Sequence, residues 1–180
     1  MITLAAIPQW ELLIIIIFSI LGLYLLTVLI IYLLMKNAQK KTFSALDSLI
    51  QFEKERMDFA NKVYDTLKEN YNLSNNIKMT IEEQNELLSS HSVDMVKAKS
   101  QTDYLLIYFQ KFMKEHGIRK KAPYAELYSQ IDEHLFLDAE KDTYPYKKYN
   151  SLAAKYNSFR NMGFFSPFSR GSKNPEAPTL

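Results

Sequence analysis

The pattern of apolar and polar residues divides this chain into one uninterrupted apolar run and a long amphipathic sequence that follows it. Residues 12–35 read LLIIIIFSILGLYLLTVLIIYLLM and contain no charged side chain. As a helix, a run of this length spans roughly 36 Å, which exceeds the bilayer hydrocarbon core of about 30 Å. A soluble core helix would be shorter and would carry a polar stripe, and a cleaved signal peptide would have a shorter apolar region behind basic residues. The run therefore predicts a transmembrane helix, which follows a short arm of residues 1–11.

The residues that flank this span predict its orientation. The arm contains no Lys or Arg, whereas Lys36, Lys40 and Lys41 follow the span directly. Because basic residues stay preferentially on the cytoplasmic side, we expect residues 1–11 outside the cell and the remaining chain in the cytoplasm. The span contains no Asp, Glu, Lys, Arg or His, and such side chains mark ion and proton pathways. We therefore predict a single-pass anchor in the cell (cytoplasmic) membrane.

Beyond the span, apolar residues recur in steps of three and four, which predicts amphipathic helices. The first stripe, which predicts a helix that continues out of the span without a break, consists of Phe43, Leu46, Ile50, Met57, Ala60, Tyr64, Leu67 and Tyr71. Glu53 is a polar residue on that stripe. The second stripe, which predicts one further long helix, consists of Ile77, Ile81, Leu88, Met95, Ala98, Leu105, Phe109 and Phe112. Gln84, His91 and Thr102 also fall on the second stripe, so its seam is the more polar one.

Proline and glycine residues divide the remaining sequence. Gly117 predicts the end of the second helix, and Pro123 suits the first turn of a third helix. Pro145 marks a stop or a kink before a last helix that ends near Met162. Residues 163–180, GFFSPFSRGSKNPEAPTL, are rich in Pro, Gly and Ser, and they predict an irregular tail.

Together these elements predict an all-α fold. A long helix cannot bury its apolar stripe alone, so the helices beyond the membrane must pack against one another. We expect an N-terminal transmembrane helix followed by an elongated antiparallel bundle of three to four helices, a common arrangement for helices with short connections. The bundle should occupy residues 36–162.

Composition narrows the classes of function. The chain has 22 basic and 20 acidic residues and a formal net charge of +2, which does not favour a nucleic-acid partner. It has no cysteine for a nucleophile or a thiolate metal ligand, and its four glycines are too few for a phosphate-binding loop. His91, His116 and His134 are far apart and lack the spacing of metal ligands. We therefore predict no enzymatic activity, no cofactor and no metal site.

A local repeat near the end of the sequence is the most specific candidate for an interaction face. Residues 149–159 read YNSLAAKYNSF, in which the pair Tyr149-Asn150 recurs seven residues later as Tyr156-Asn157. Seven residues make two helical turns, so both pairs lie on one helix face. Two interpretations are open. Either the tyrosines pack a bundle seam with their hydroxyls at its rim, or the pairs recognise a partner.

This repeat and three upstream segments resemble the LemA family of bacterial membrane-anchored helical proteins. That family has an N-terminal transmembrane helix, a bundle of long helices and paired Tyr-Asn motifs near the C-terminus. Residues 56–68, RMDFANKVYDTLK, are similar to an early motif of the family through Arg56, Asp58 and Lys68. The weaker matches are residues 96–100 and 123–127. The chain is identified as a divergent member, and the resemblance implies an anchored helical bundle of the envelope.

These observations favour a single-pass, membrane-anchored helical protein of the bacterial envelope that acts as a non-enzymatic interaction, scaffold or regulatory module. Its expected partners are the lipid bilayer and either another protein or a second copy of itself. One alternative is a ligand- or lipid-sensing bundle, in which Gln84, His91 and Thr102 line an internal site. Another alternative is a phage-type membrane tether, which also combines one span with helices.

Overall fold

The structure is a computed structural model, and it describes residues 8–90, 93–135, 145–162, 176–178 and 180. In this described part of the chain there are five α-helices and no strand, which confirms the predicted all-α fold. The helices are α1 (Gln9–Lys68), α2 (Asn75–Ser89), α3 (Met95–Glu115), α4 (Tyr124–Leu135) and α5 (Pro145–Arg160).

Helix α1 runs without interruption through the apolar run and through the amphipathic sequence that follows it. Ile14, Ile15, Ile16 and Ile17 are all exposed, and four consecutive residues cover the whole circumference of a helix. Among the described residues, α1 is the one helix that is long and apolar enough to cross a membrane, and none of its apolar window is buried. It is therefore compatible with a membrane anchor. As predicted, the helix continues past the apolar run without a break.

Contacts divide the chain into two compact units. The first contains the described residues of Met1–Thr42 and Ala153–Ala177, and the second contains those of Phe43–Leu152 and Pro178–Leu180. Helices α1 and α5 each contribute residues to both units. The main hydrophobic core lies entirely in the second unit.

This core is built from α1, α2, α3 and α4. On each helix, the buried apolar residues are separated mainly by three or four positions, which places them on one face. Helix α2 packs against α3, and α3 packs against α4. The fully buried members include Ala60, Leu67, Leu105, Phe109 and Ile131. The packing agrees with the predicted bundle. Of the first stripe, Met57, Ala60 and Leu67 are buried, whereas Phe43 is 38% exposed.

The prediction of one further long helix is wrong, because two helices, α2 and α3, take its place. Helix α2 ends where the Ser90 hydroxyl donates a 2.8 Å hydrogen bond to the Leu87 carbonyl. Helix α3 begins where the Asp94 carboxylate accepts hydrogen bonds from the N–H groups of Val96 and Lys97, each at 3.1 Å. These caps satisfy groups that lack intrahelical partners at helix ends, so they stabilise a break between the two stretches.

The other helix boundaries follow the predicted glycine and proline positions. Gly117 lies two residues after α3 with a φ of 64°, a backbone conformation that favours glycine. Helix α4 begins directly after Pro123, and α5 begins at Pro145, where the missing N–H of proline leaves no helical bond unmade. Of the predicted irregular tail, residues 176–178 and 180 are described, and they have no regular secondary structure.

Candidate functional site

Helix α5 buries one face. Tyr146, Tyr149, Ala153 and Tyr156 follow one another at steps of three, four and three residues, and their exposed fractions are 5%, 1%, 0% and 0%. This spacing keeps all four side chains on one side of the helix. We call this set of residues the tyrosine face.

Asn150 and Asn157 lie beside this face. Each follows a tyrosine of the repeat by one residue, which is about 100° around the helix. Both asparagines are partly buried, whereas Tyr149 and Tyr156 are fully buried. The tyrosines and the asparagines of the repeat therefore have different surroundings. We call Asn150 and Asn157 the asparagine edge.

Within the first unit, Asn157 binds the main chain of Ala177. Asn157 Nδ2 donates to the Ala177 carbonyl at 2.7 Å, and the Ala177 N–H donates to Asn157 Oδ1 at 3.0 Å. One turn of helix further on, Arg160 Nη1 lies 3.3 Å from Glu176 Oε2. The Ala177 side chain is only 3% exposed. Both polar atoms of the Asn157 side chain are thus engaged by one residue of the C-terminal segment (residues 176–180).

Within the second unit, Asn150 makes the same kind of pairing with Leu180. Asn150 Nδ2 donates to the Leu180 main-chain oxygen at 2.5 Å, and the Leu180 N–H donates to Asn150 Oδ1 at 2.8 Å. The Tyr149 hydroxyl donates to the Pro178 carbonyl at 2.9 Å. We call the two pairings the Asn157 clamp and the Asn150 clamp.

The chemistry of these clamps suits polypeptide main chain. A carboxamide side chain carries a donor and an acceptor side by side, so it can bond the N–H and the C=O of one residue together. Main-chain bonds of this kind recognise an extended chain, while neighbouring pockets read its side chains. Burial raises the pKa of the Tyr149 and Tyr156 hydroxyls, so both phenols stay neutral at physiological pH.

A largely apolar groove of about 520 Å³, whose lining also includes Lys99, Ser100 and Asp103, borders Leu180 in the second unit. Met95, Val96, Tyr104 and Ile107 of α3 form part of its lining. Val96, Tyr104 and Ile107 are 61%, 52% and 53% exposed, so Leu180 leaves much of this apolar surface uncovered. The groove therefore has room for a larger apolar group beside the Asn150 clamp.

A buried ionic cluster connects α1 with α3 and with the first turn of α5. Glu53 and Arg56 are 0% and 2% exposed, and Arg56 Nη1 donates to Glu53 Oε1 at 2.8 Å. Arg56 also forms an ion pair with Asp103, and Lys99 Nζ lies 2.5 Å from the other oxygen of Asp103. The Tyr146 hydroxyl donates to Glu53 Oε1 at 2.8 Å. The cluster therefore fixes the start of α5.

The charges of this cluster stabilise one another. Burial alone would lower the pKa of Arg56, but Glu53 and Asp103 outweigh burial and raise it. Burial would raise the pKa of the Asp103 carboxyl, but hydrogen bonds from Arg56 and Lys99 lower it below its usual value. Glu53 Oε2 and Arg56 Nε have no hydrogen-bond partner within the described part of the chain. In that same part, no group of three or more His, Asp or Glu side chains is arranged to hold a metal ion.

The three residues of the family-like motif lie in different surroundings. Arg56 is buried in the ionic cluster. Asp58 is exposed, and so is Lys68, whose Nζ lies 2.5 Å from the exposed carboxylate of Asp65. Of these three residues, only Arg56 is buried in the bundle.

The polar residues predicted on the second stripe bond to each other. Gln84 and Thr102 are both 0% exposed, and Gln84 Nε2 donates to Thr102 Oγ1 at 2.9 Å and to the Ala98 carbonyl at 2.7 Å. These bonds cross the contact between α2 and α3. His91, the third predicted residue, lies outside the described residues.

Sequence reasoning missed several residues of the site. Glu53 stood out only as a polar residue on an apolar stripe, although its spacing of three from Arg56 is that of a helical ion pair. Asp103 and Tyr146 are distant in sequence from Arg56, and no local pattern connects them. The C-terminal segment was predicted only to be irregular, because clamp partners leave no periodic trace in the sequence.

Comparisons of the chain with protein-family models, curated proteins and solved structures give no match. The resemblance to the LemA family therefore stays a prediction. The geometry of α5 and the C-terminal segment is the basis on which a function can be assigned.

Proposed function

We propose that the protein is a single-pass, membrane-anchored and non-enzymatic interaction module of the bacterial envelope. The observation that carries this proposal is the pair of clamps, in which Asn150 and Asn157 each bond both main-chain groups of one residue. Because main-chain bonds of this kind serve polypeptide recognition, the partner is a protein. The same observation favours this function over a small-molecule sensor.

The anchor and its orientation support the envelope location. The apolar part of α1 is compatible with a membrane span, and Lys36, Lys40 and Lys41 follow it. Basic flanks stay in the cytoplasm, so we place the helical bundle there and residues 1–11 outside, in the cytoplasmic membrane of a bacterium. The Tyr-Asn repeat and the segment 56–68 also support divergent membership of the LemA family.

The groups on α5 suit binding better than catalysis. The repeat presents two amides and two neutral phenols, which donate and accept hydrogen bonds but are weak nucleophiles and bases at neutral pH. In the ionic cluster, Glu53, Arg56 and Asp103 bond one another. We therefore assign these residues structural and recognition roles.

Photo-crosslinking in living cells tests the proposed function. Ser151 and Ser158 follow the two asparagines and are exposed, so a photoreactive residue at either position should report on molecules bound at the asparagine edge. Met79 on α2 is 58% exposed and serves as the control position. We expect a defined protein adduct at Ser151 or Ser158 that does not form at Met79. Identical adducts at all three positions, or none, would contradict the proposal.

Cysteine labelling tests the proposed orientation. The chain has no cysteine, so single cysteines in the arm of residues 1–11 or at Lys120 can be labelled without background. In intact cells, we expect a membrane-impermeant reagent to label the arm and to spare position 120. Labelling at position 120 instead would place the bundle outside the cytoplasm.

A further inference from the structure

Positive charge in the second unit is concentrated in one short stretch. Residues 111–121, KFMKEHGIRKK, contain five basic residues and one acidic residue. The other described residues of this unit contain nine basic and fourteen acidic residues. The unit therefore combines a local excess of positive charge with an acidic remainder, and such a distribution attracts surfaces of opposite sign.

The end of this stretch forms a turn whose backbone is fixed on both sides. Ile118 is 2% exposed, and its N–H donates a 3.1 Å hydrogen bond to the Met113 carbonyl. The Lys121 N–H donates to the Ile118 carbonyl at 2.9 Å, and Tyr124 is again buried. Residues 119–121, Arg-Lys-Lys, are exposed, and within the part of the chain that the structure describes their side chains form no hydrogen bond or ion pair. We call residues 119–121 the basic turn.

Helix α2 presents the opposite charge on its exposed side. Met79, Glu83 and Glu86 follow one another at steps of four and three residues, which places them on one face of the helix. Both glutamates are exposed, and Met79 is 58% exposed. Neither glutamate side chain bonds or pairs with another described residue. We call these three residues the acidic face.

The basic turn and the acidic face lie toward the same end of the second unit. Asn70, just after α1, donates a 3.0 Å hydrogen bond to the hydroxyl of Tyr124, so the basic turn adjoins the end of α1. Helix α2 begins five residues after Asn70, at Asn75. Glu83 is about 12 Å along the helix from that start. Neighbouring copies that share one orientation in a membrane can therefore bring the two surfaces together.

We propose that the basic turn of one copy binds the acidic face of α2 on a second copy in the same membrane. The guanidinium of Arg119 can bond both oxygens of one carboxylate, and the two lysines supply further positive charge. The contact joins two different surfaces, so each bound copy keeps one surface of each kind available and further copies can add. This inference rests on the proposed function for its membrane anchor, and it names a second copy as a partner at a surface outside α5.

The membrane and the salt concentration should both control this contact. An exposed ion pair is weak in free solution, but anchoring in one membrane orients the copies and raises their effective concentration. Charges on such surfaces are screened by salt, because the Debye length falls from about 8 Å at physiological ionic strength to about 3 Å at 1 M. We therefore expect an association that is present in membranes at physiological salt and lost at 1 M salt.

Thiol crosslinking between two tagged copies in phosphatidylcholine vesicles tests this inference. The chain has no cysteine of its own. The turn copy carries Ala122→Cys beside the basic turn, and the helix copy carries Met79→Cys on the acidic face, so both keep every charge. The control copy carries Val96→Cys on α3, where Val96 is 61% exposed. With a short bis-maleimide reagent, the turn copy should form at least about fivefold more adduct with the helix copy than with the control copy, because the contact keeps the first two thiols together.

Charge reversal shows whether the adduct depends on the two surfaces. Lys120→Glu with Lys121→Glu in the turn copy should reduce the adduct to the control level. Glu83→Lys with Glu86→Lys in the helix copy should do the same. When both reversed copies are combined, the adduct should return, because the signs are exchanged and again complementary.

A matched reversal elsewhere serves as the control for net charge. Lys54 and Lys97 are exposed and lie outside the basic turn. Lys54→Glu with Lys97→Glu in the turn copy changes the net charge by the same amount and should leave the adduct unchanged. Circular dichroism confirms that each variant is folded before its adduct is measured.

Four results would overturn the inference. One is equal adduct with the helix copy and the control copy. Another is an adduct that survives charge reversal in one copy. The third is failure of the two reversed, folded copies to restore the adduct. The fourth is loss of the adduct when the vesicles contain phosphatidylglycerol, because the basic turn would then bind anionic lipid headgroups rather than a second copy.

The inference and the proposed function can fail separately. A photoreactive residue at Met79 should give an adduct of the chain with itself, which differs from the partner adduct expected at Ser151 or Ser158. If only the partner adduct forms, the protein is an interaction module without this self-contact. If only the adduct at Met79 forms, the self-contact stands and the proposed role of the asparagine edge falls.

Discussion

The tyrosine face and the asparagine edge of α5 are adjacent in every copy of the repeat, yet they have different environments. Tyr149 and Tyr156 are 1% and 0% exposed, so both side chains are buried. Asn150 and Asn157, one residue later, are only partly buried and bond the main chain of Ala177 and Leu180. A rotation of about 100° between neighbouring residues is sufficient for this difference.

The tyrosines and the asparagines of one repeat can thus have different roles, because the rings pack and the amides bind main chain. Packing by a buried ring depends on volume and does not distinguish partners. Pairing by a carboxamide depends on main-chain groups that any extended segment offers. The two interpretations of the repeat in sequence are therefore compatible, since they apply to different residues of it.

The largest expected effect is the loss of a tyrosine ring. Tyr156→Ala should lower the free energy of unfolding by about 3–5 kcal/mol, because truncating a buried aromatic residue removes apolar contacts and leaves a cavity. Chemical denaturation in detergent micelles, followed by circular dichroism, measures the change. Tyr156→Phe keeps the ring and should retain most of the stability. A loss below about 1 kcal/mol for Tyr156→Ala would show that the face is not a packing surface.

A comparable effect is expected at Arg56, which lies outside the repeat but is equally buried. Arg56→Ala leaves Glu53 as an uncompensated buried charge, and breaking such a pair costs about 3–5 kcal/mol. The same denaturation experiment measures it, with Lys68→Ala as the control, because the Lys68 ion pair is exposed. Both residues belong to the family-like motif. Equal losses of unfolding free energy in Arg56→Ala and Lys68→Ala would therefore contradict the claim that burial of the side chain determines the cost.

The asparagines should have a smaller effect on stability. Asn150→Ala together with Asn157→Ala should cost about 1–3 kcal/mol, because each change removes two hydrogen bonds at a partly exposed edge. The fold should persist while the C-terminal segment becomes accessible to carboxypeptidase. The control changes are Ser151→Ala and Ser158→Ala, at the exposed neighbours of the two asparagines. They should change neither the free energy of unfolding nor the access of carboxypeptidase to the C-terminal segment. Global unfolding of the asparagine variant would assign the edge to packing instead.

The smallest effect concerns pH, and it should arise outside the repeat. His134 stacks on Phe59 with ring centroids 4.5 Å apart, and burial, followed by the positive charge of Arg56, lowers its pKa. The unfolded chain therefore binds this proton more readily, so stability is complete above the unfolded pKa of about 6.5 and falls as pH decreases below it.

Denaturation at several pH values between about 8 and 5.5 tests this effect, in the range where histidine titrates. His134→Gln should remove the decline, whereas the two asparagine changes should leave its slope intact. Asp103 also loses a contribution on acidification, but only below the usual carboxyl range, because its pKa is lowered. A slope that persists in His134→Gln would contradict the assignment.

The sequence predicted those features that depend on local pattern. The apolar run and the first stripe predicted the uninterrupted α1, and Pro123 and Pro145 marked the starts of α4 and α5. The break between α2 and α3 escaped prediction because apolar residues keep a helical spacing on both sides of it. At this break, the capping hydrogen bonds of Ser90 and Asp94 favour two helix ends more strongly than the apolar spacing favours one continuous helix.

For the candidate site, the sequence identified one side of the contact. The Tyr-Asn repeat stood out because a tyrosine and the asparagine after it recur seven residues later, which is two turns of a helix. The ligand side did not, because Ala177, Pro178 and Leu180 contact α5 across a separation of 20 to 30 residues and through main-chain atoms that every sequence possesses. Ion pairs such as Arg56 with Asp103 are similarly invisible, since they depend on tertiary packing.

Amide hydrogen exchange at Ala177 and Leu180, measured by NMR on the intact chain in micelles, tests the central claim most directly. Both amides should exchange more slowly than in a free peptide of residues 173–180. Asn157→Ala should accelerate exchange chiefly at Ala177 and Asn150→Ala chiefly at Leu180, while the amides of α5 stay protected. Free-peptide exchange rates at both positions in the unmodified chain would contradict the claim that the asparagine edge binds this segment.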